Sequence, residues 1–180
     1  LVGSEMCIRD SIMTIMIGGG DIYSDDHVTL SGDGARFDAD TAYLGKNSQT
    51  IDYNIVADHF GKKTESLITV NGALTDSAKK VFRGTIDFKK GSADSVGSEN
   101  ETVLMLGDDV VNKTVPLILC AEENVEGTHG ATIGELDADT MFYFESRGID
   151  RETAERIMAY AAVERLIHMA EDGGLSLIHI

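Results

Sequence analysis

The stretch TIDYNIVADHF, residues 50–60, carries the clearest secondary-structure signal in the chain. Apolar or aromatic side chains, together with one histidine, recur at every second position from Ile51 to His59, and the residues between them are mostly polar. A period of two indicates a β-strand with one face against a core, and only Val56 interrupts it. Residues 81–88, VFRGTIDF, repeat the pattern. These stretches predict a β-rich domain.

From about residue 27 to residue 121, successive strand-like stretches are separated by short turns that begin with glycine. Several glycines lie roughly one strand plus one turn apart, namely Gly34, Gly45, Gly61, Gly72 and Gly84. This spacing fits a stack of β-coils, but it also fits a sandwich or a barrel, and periodicity alone leaves all three open. Residues 89–100, rich in Gly, Ser and Asp, are predicted to form a polar loop.

The pattern changes after residue 135. Asp137 is a good N-cap and Gly148 a good C-terminal stop, which predicts a short helix between them. Asp150 then caps a longer stretch with helical periodicity over residues 151–170. We therefore expect a mainly β core over residues 13–135 and a C-terminal helical pair within residues 136–174.

Both ends of the chain differ from the rest. Residues 1–12 show neither periodicity nor turn signals, and residues 175–180, LSLIHI, follow a glycine pair that should end the helix. We expect both segments to be non-native or disordered ends. The chain does not begin with methionine, and we interpret it as a fragment whose N-terminal part is missing.

The composition fits one globular domain. Hydrophobic residues make up 42% and charged residues 26% of the 180 residues, as in ordinary folded proteins. The formal net charge of −16 argues against nucleic acid and anionic membrane as partners, because both would repel so acidic a surface. Two cysteines without metal-type spacing indicate a reducing compartment, and we expect a cytoplasmic protein.

No established catalytic motif is present in the sequence. GxSxG, HExxH and the Walker-type GxxxxGK[ST] are all absent, so we expect no catalytic machinery. The strongest site candidate is His129 in GTHGAT, residues 127–132, because a histidine between two glycines has little steric cover and can reach a ligand or partner. The alternative is a histidine that hydrogen-bonds a backbone carbonyl at a turn, and residue types leave both open.

Cys120 and His59 are weaker candidates. Cys120 ends the apolar run PLILC, residues 116–120, where a free cysteine usually behaves as a small buried hydrophobe. His59 lies on the apolar face of its strand, which predicts a core histidine whose ring nitrogens are hydrogen-bonded.

Two parts of the sequence resemble the SufB/SufD family of iron–sulfur cluster assembly proteins. Residues 81–86, VFRGTI, are similar to the family's F-x-G-x-I strand. Residues 129–137, HGATIGELD, followed by MFYFESRGI at residues 141–149, resemble the family's C-terminal signature in its SufD-like form. The resemblance runs from about residue 15 to residue 174.

The resemblance implies a right-handed parallel β-helix followed by a C-terminal helical pair. It also implies a scaffold subunit that assembles with a SufB-type partner and a SufC-type ATPase. A homodimer is a further assembly that the sequence leaves open. In the family, the two β-helix subunits meet at their last strands. The histidine that matches His129 lies near that surface and is implicated in cluster formation.

The resemblance further places the ATPase on the C-terminal helices. Phe142, Tyr143 and Arg147 are our candidate contacts there, because aromatic residues and arginine anchor interfaces most often. The alternative for Phe142 is that it packs inward onto the β core.

One departure from the family favours its SufD-like members. SufB-type proteins carry a cysteine shortly before a T-x-P segment, whereas residues 109–116 here read DVVNKTVP. Iron–sulfur clusters usually need about four protein ligands, mostly thiolates, and Cys120 is the single cysteine outside the N-terminal segment. We therefore expect no stably bound cofactor, but a transient cluster shared with a partner, with His129 and Cys120 as candidate ligands.

A carbohydrate-active enzyme built on a β-helix is the alternative function. It would explain the acidity, since such enzymes use carboxylates in an exposed groove. It does not explain the HGAT signature, and aromatic residues make up only 6% of the chain, without any tryptophan.

Overall fold

The computed structural model describes residues 9–172, which form nine β-strands followed by two α-helices. The strands are β1 (Arg9–Ile17), β2 (Ile22–Leu30), β3 (Arg36–Gly45), β4 (Thr50–His59), β5 (Glu65–Thr75), β6 (Lys79–Phe88), β7 (Ser95–Leu106), β8 (Val111–Cys120) and β9 (Val125–Gly134), and the helices are α1 (Ala138–Glu145) and α2 (Arg151–Asp172). Residues 9–12 thus belong to the first strand rather than to the N-terminal segment. The predicted tail at residues 175–180 lies outside the described residues.

The strands alternate between two parallel sheets. The odd-numbered strands form sheet A in the order β1-β3-β5-β7-β9, and the even-numbered strands form sheet B in the order β2-β4-β6-β8. Neighbours lie in parallel register, with Ile51 of β4 between Ile22 of β2 and Lys80 of β6. The chain therefore passes through one strand of each sheet per coil and makes about four coils. The predicted parallel β-helix is confirmed, and the sandwich and the barrel are excluded.

The core lies between the two sheets. In β4, Ile51, Tyr53 and Ile55 are buried and alternate with partly exposed residues, as the period of two predicts. Tyr53 stacks on Phe82 of the next coil, with ring centroids 5.5 Å apart. Parallel strands in register stack inward side chains of successive coils on one another, so each coil is stabilised by the coils on either side.

His59 is the core histidine that the sequence predicts. It is fully buried, and its ring nitrogens lie 2.7 Å from Thr64 Oγ1 and 2.9 Å from Ser66 Oγ. Burial lowers the pKa of His59 to about 4, although the nearby Asp58 opposes the shift. The imidazole is therefore neutral at pH 7.

The predicted polar loop over residues 89–100 is wrong beyond residue 94, because β7 begins at Ser95. Ser95, Gly97 and Glu99 are buried and alternate with more exposed residues. The inward positions of this strand thus hold small or charged residues instead of apolar ones. Because the inward residues of this strand are not apolar, its hydrophobicity pattern does not show the period of two.

Both helices begin as predicted, and α2 lies against the solenoid. The Asp137 carboxylate accepts a hydrogen bond from Thr140 N at 2.7 Å, and Asp150 accepts one from Thr153 N at 2.8 Å. α2 packs on the outer face of sheet A through Ala159, Val163 and Leu166, against Ala42, Leu44, Ala73 and Leu106. Neither helix of residues 9–172 is both long and apolar enough to span a membrane.

Candidate functional site

The last two strands form an uncovered end of the solenoid, called here the open end. β8 pairs only with β6 and β9 only with β7, so within residues 9–172 one edge of each strand lacks a neighbouring strand. Unpaired strand edges readily pair with another chain. Large apolar side chains are also exposed on these strands, namely Val111, Val115, Leu117, Leu119 and Ile133. The open end therefore has the features of a docking surface.

His129 lies in the middle of β9, so the alternative that placed it at a turn is wrong. Its Cα lies beside that of Glu99 in β7. Two residues earlier, Gly127 faces the interior, since a Cβ there would lie 3.2 Å from the Phe88 ring. Side chains alternate along a strand, so His129 has the same inward direction as Gly127. It is nevertheless exposed, because no further coil of the described chain covers it.

Cys120 is exposed at the end of β8, so the expectation of a buried cysteine is wrong. The reason is again the open end, since no described coil stacks on β8. A Cβ on Gly127 would lie 2.7 Å from Cγ2 of Ile118, so these two residues face each other across the two sheets. Cys120 and His129 lie two residues beyond this point in opposite directions, about 13 Å apart along the strands. The structure places both candidates on one surface but does not bring them together.

A buried ion pair lies directly beneath the open end. Lys80 of β6 and Glu101 of β7 form a salt bridge, and their side chains are only 1% and 0% exposed. The second carboxylate oxygen of Glu101 accepts a hydrogen bond from Thr114 Oγ1 of β8 at 2.5 Å, and Lys80 Nζ donates to the same hydroxyl at 3.2 Å. This cluster joins three strands through the interior and fixes β8 to the preceding coil.

Glu99 lies one inward position away from this pair. It is 2% exposed, and within residues 9–172 no hydrogen bond to its carboxylate is present. The carboxylate lies against Gly84 of sheet B, in space that the Cβ of any other residue would occupy. Burial and the negative charge of Glu101 raise the pKa of Glu99 to about 7, with Lys80 opposing the shift.

Sequence reasoning missed Glu99 and the Lys80–Glu101 pair. The available signal was the alternation of Glu99 and Glu101 with Asn100 and Thr102, in the middle of what is strand β7. A period of two in which charged residues take the inward positions contradicts the usual patterning of a strand. Only the folded structure shows that these carboxylates face the interior.

The first helix carries the predicted partner contacts on its surface. Phe142 is 72% and Tyr143 54% exposed, and the Arg147 guanidinium carbon lies 3.5 Å from the centre of the Tyr143 ring. Met141, not Phe142, is the buried residue of α1, so the inward alternative for Phe142 is wrong. On α2, Tyr160 is also exposed. The helices thus present aromatic side chains that the solenoid leaves uncovered.

Among residues 9–172, no group of three or more His, Cys, Asp or Glu side chains is arranged to hold a metal ion.

Residues 9–162 match the family model for SUF system FeS cluster assembly, SufBD core domain. The chain belongs to the SufBD family. The match covers all nine strands, α1 and about half of α2. The β-helix, α1 and the first half of α2 therefore lie within one SufBD core domain.

Named SufBD relatives support the same assignment. The chain is 31% identical over 163 residues to the iron–sulfur cluster assembly protein SufD of Bacillus subtilis, covering 89% of this chain and 37% of that protein. It is 23% identical over 162 residues to SufD of Escherichia coli, covering 90% of this chain and 38% of the relative. The chain thus spans little more than a third of the length of these relatives.

Proposed function

We propose that this SufBD family chain is a scaffold subunit for iron–sulfur cluster assembly in the cytoplasm, without catalytic activity of its own. The observation that carries the proposal is the position of His129 on the open end. The His129 imidazole can bind iron, and it lies on a surface to which a strand of another subunit can pair. Family membership and the names of the relatives support the same reading.

The open end is the proposed contact for a SufB-type subunit. The unpaired edges of β8 and β9 can extend both sheets into a partner, and main-chain hydrogen bonds would then supply affinity. Val115, Leu117 and Leu119 are each 43–45% exposed and alternate along the outer face of β8 with inward residues, so the partner would bury apolar surface at the same time. A homodimer through the same edges is the alternative assembly.

α1 is the proposed contact for a SufC-type ATPase. Phe142 and Tyr143 present large exposed rings, and Arg147 stacks on the second of them. Stacking holds the guanidinium in place before binding, which lowers the conformational entropy lost on association. Aromatic residues and arginine are the commonest anchors of interfaces, which supports these three residues as the centre of the contact.

The cluster is a substrate in this proposal, held briefly at the interface. A neutral imidazole and a thiolate are both competent iron ligands, which makes His129 and Cys120 the candidates from this chain. They lie too far apart to bind one iron atom together in the isolated chain. Because a cluster usually needs about four ligands, the partner subunit would supply most of them.

Co-expression of the chain with a SufB-type subunit and a SufC-type ATPase tests the proposal. The wild-type chain should be recovered with both partners, and the reconstituted complex should contain iron and sulfide. His129→Ala should leave the melting temperature and both partners unchanged while iron and sulfide per complex fall about tenfold or more. Thr128→Ala, at the exposed neighbouring position, is the matched control.

The outcomes separate a cluster site from a structural role. Normal iron and sulfide with a lowered melting temperature in His129→Ala would show that the imidazole only stabilises β9. Cys120→Ser distinguishes the same two cases for the thiol, and its exposure predicts little change in stability. Failure to capture either partner would overturn the scaffold proposal, and turnover of a saccharide by the chain alone would favour the carbohydrate-active alternative.

A further inference from the structure

Glu99 and His129 are neighbours on the inner side of sheet A. Their Cα atoms are partners in the β7–β9 register, and adjacent strands lie about 4.8 Å apart. Both side chains point into the solenoid. The burial of Glu99 against Gly84 shows its direction, and His129 points the same way as Gly127 because the two are separated by two residues on one strand. The two side chains therefore stack on each other in successive coils, with the imidazole nearer the open end.

The Glu99 carboxylate is a buried acceptor in need of a donor. Within residues 9–172 it receives no hydrogen bond, although it is 2% exposed. The ammonium of Lys80, the nearest cation of the facing sheet, instead donates to Glu101 and Thr114. A buried carboxylate without a donor is costly. In β9, which stacks directly on β7, the inward side chain in register with Glu99 is the imidazole of His129, which can donate to it.

We propose that Glu99 is a positioning residue for His129: when a partner subunit covers the open end, the Glu99 carboxylate accepts a hydrogen bond from one ring nitrogen and leaves the other facing the cluster substrate. The inference rests on the proposed function, in which the open end is covered by a partner. Covering removes water from the imidazole, so the carboxylate and the imidazole become each other's best hydrogen-bond partners.

Such a contact has a defined chemical effect. A carboxylate that accepts the N–H of a histidine selects its tautomer, fixes the ring orientation and strengthens the other nitrogen as a ligand. Gly84 opposite makes this arrangement feasible, because its missing side chain leaves room for the Glu99 carboxylate inside the solenoid. Loss of such a supporting carboxylate typically costs about 10–100-fold in metal affinity or activity.

The test uses the chain assembled with its SufB-type subunit and SufC-type ATPase, in five forms: wild type, Glu99→Gln, Glu99→Asp, Glu126→Gln and His129→Ala. Glu126 is exposed on the same strand as His129, so its variant makes the same Glu-to-Gln change without reaching the interior. Nitrogen-15 spectra of labelled histidine report the tautomer of His129, whose signals are identified by their loss in His129→Ala. Iron and sulfide are measured per assembled complex, together with the melting temperature.

The proposal expects one His129 tautomer in wild type and in Glu126→Gln, and a tautomer mixture in Glu99→Gln. Iron and sulfide per complex should fall about tenfold in Glu99→Gln and recover in part in Glu99→Asp, which keeps the carboxylate. An unchanged tautomer and unchanged content in Glu99→Gln would overturn the proposal, whatever happens to the melting temperature. Normal content in His129→Ala would instead overturn the proposed role of His129, and the tautomer comparison would still decide whether Glu99 contacts it.

Discussion

Replacing Lys80 with methionine should strongly destabilise the chain, because the change leaves a buried carboxylate without its counter-charge. Methionine keeps nearly the same length and volume, so the packing between Tyr43 and Phe82, whose rings lie 5.6 Å from Nζ, is largely preserved. Breaking a buried ion pair by removing one partner costs about 3–5 kcal/mol. The neighbouring Glu99 does not add to this cost, because its pKa, already raised to about 7, rises further without Lys80 and its carboxyl group is then mostly neutral at pH 7.

Removing both charges should recover much of this loss. In the double variant Lys80→Met, Glu101→Leu, no uncompensated charge remains, and hydrophobic replacement of a whole buried pair is often neutral or stabilising. The Thr114 hydroxyl loses its acceptor, which costs about 1–3 kcal/mol. We therefore expect the double variant to lie closer to wild type than Lys80→Met alone, with a coupling energy of about 2–3 kcal/mol.

Urea unfolding followed by far-ultraviolet circular dichroism at pH 7 measures these free energies of unfolding. Lys79→Met is the matched control, because Lys79 precedes Lys80 on the same strand and is exposed; its effect should stay within about 0.5 kcal/mol. A loss below about 1 kcal/mol in Lys80→Met, or strictly additive costs in the double variant, would refute the description of this pair as buried and coupled.

Three further predictions concern the core and the helices. The His59 pKa is lowered from 6.5 to about 4. The stability that this neutral, buried imidazole contributes is therefore present above pH 6.5 and decreases by about 3 kcal/mol as the pH falls toward 4. Urea unfolding at pH 7 and pH 4.5 should show this loss in wild type and a smaller loss in His59→Gln. Gly84→Ala should cost about 1–3 kcal/mol, because the new Cβ would collide with a buried carboxylate. Gly134→Ala, where a Cβ meets no atom within 4 Å, should be nearly neutral in the same assay. Phe142→Ala should leave the melting temperature unchanged but weaken binding of the SufC-type ATPase about tenfold or more in titration calorimetry. Met141→Ala, by contrast, should cost about 2–5 kcal/mol of stability. An equal loss of stability in both variants would show that Phe142 is a core residue.

The sequence predicted the secondary structure wherever hydrophobicity follows the backbone period. β4 was evident from its alternating residues, and both helices were evident from Asp137, Gly148 and Asp150, since caps and stops act within a few residues of the chain. β7 was missed over its first half because its inward positions hold Ser95, Gly97 and Glu99. The choice of a β-helix over a sandwich or barrel came from the family resemblance, because the pairing of strands is not encoded in the period of any one strand.

The sequence by itself therefore determined the strands whose hydrophobic residues alternate, the starts of both helices, the family resemblance and His129 as a candidate, all of which depend on local residue patterns. Only the tertiary structure decided which of these residues are accessible. Cys120 and His129 are exposed because β8 and β9 are the last strands of the two sheets, and Glu99 is buried because β9 and sheet B enclose it. Burial depends on what stacks against a strand in space, and in a solenoid that neighbour lies a whole coil away in the chain.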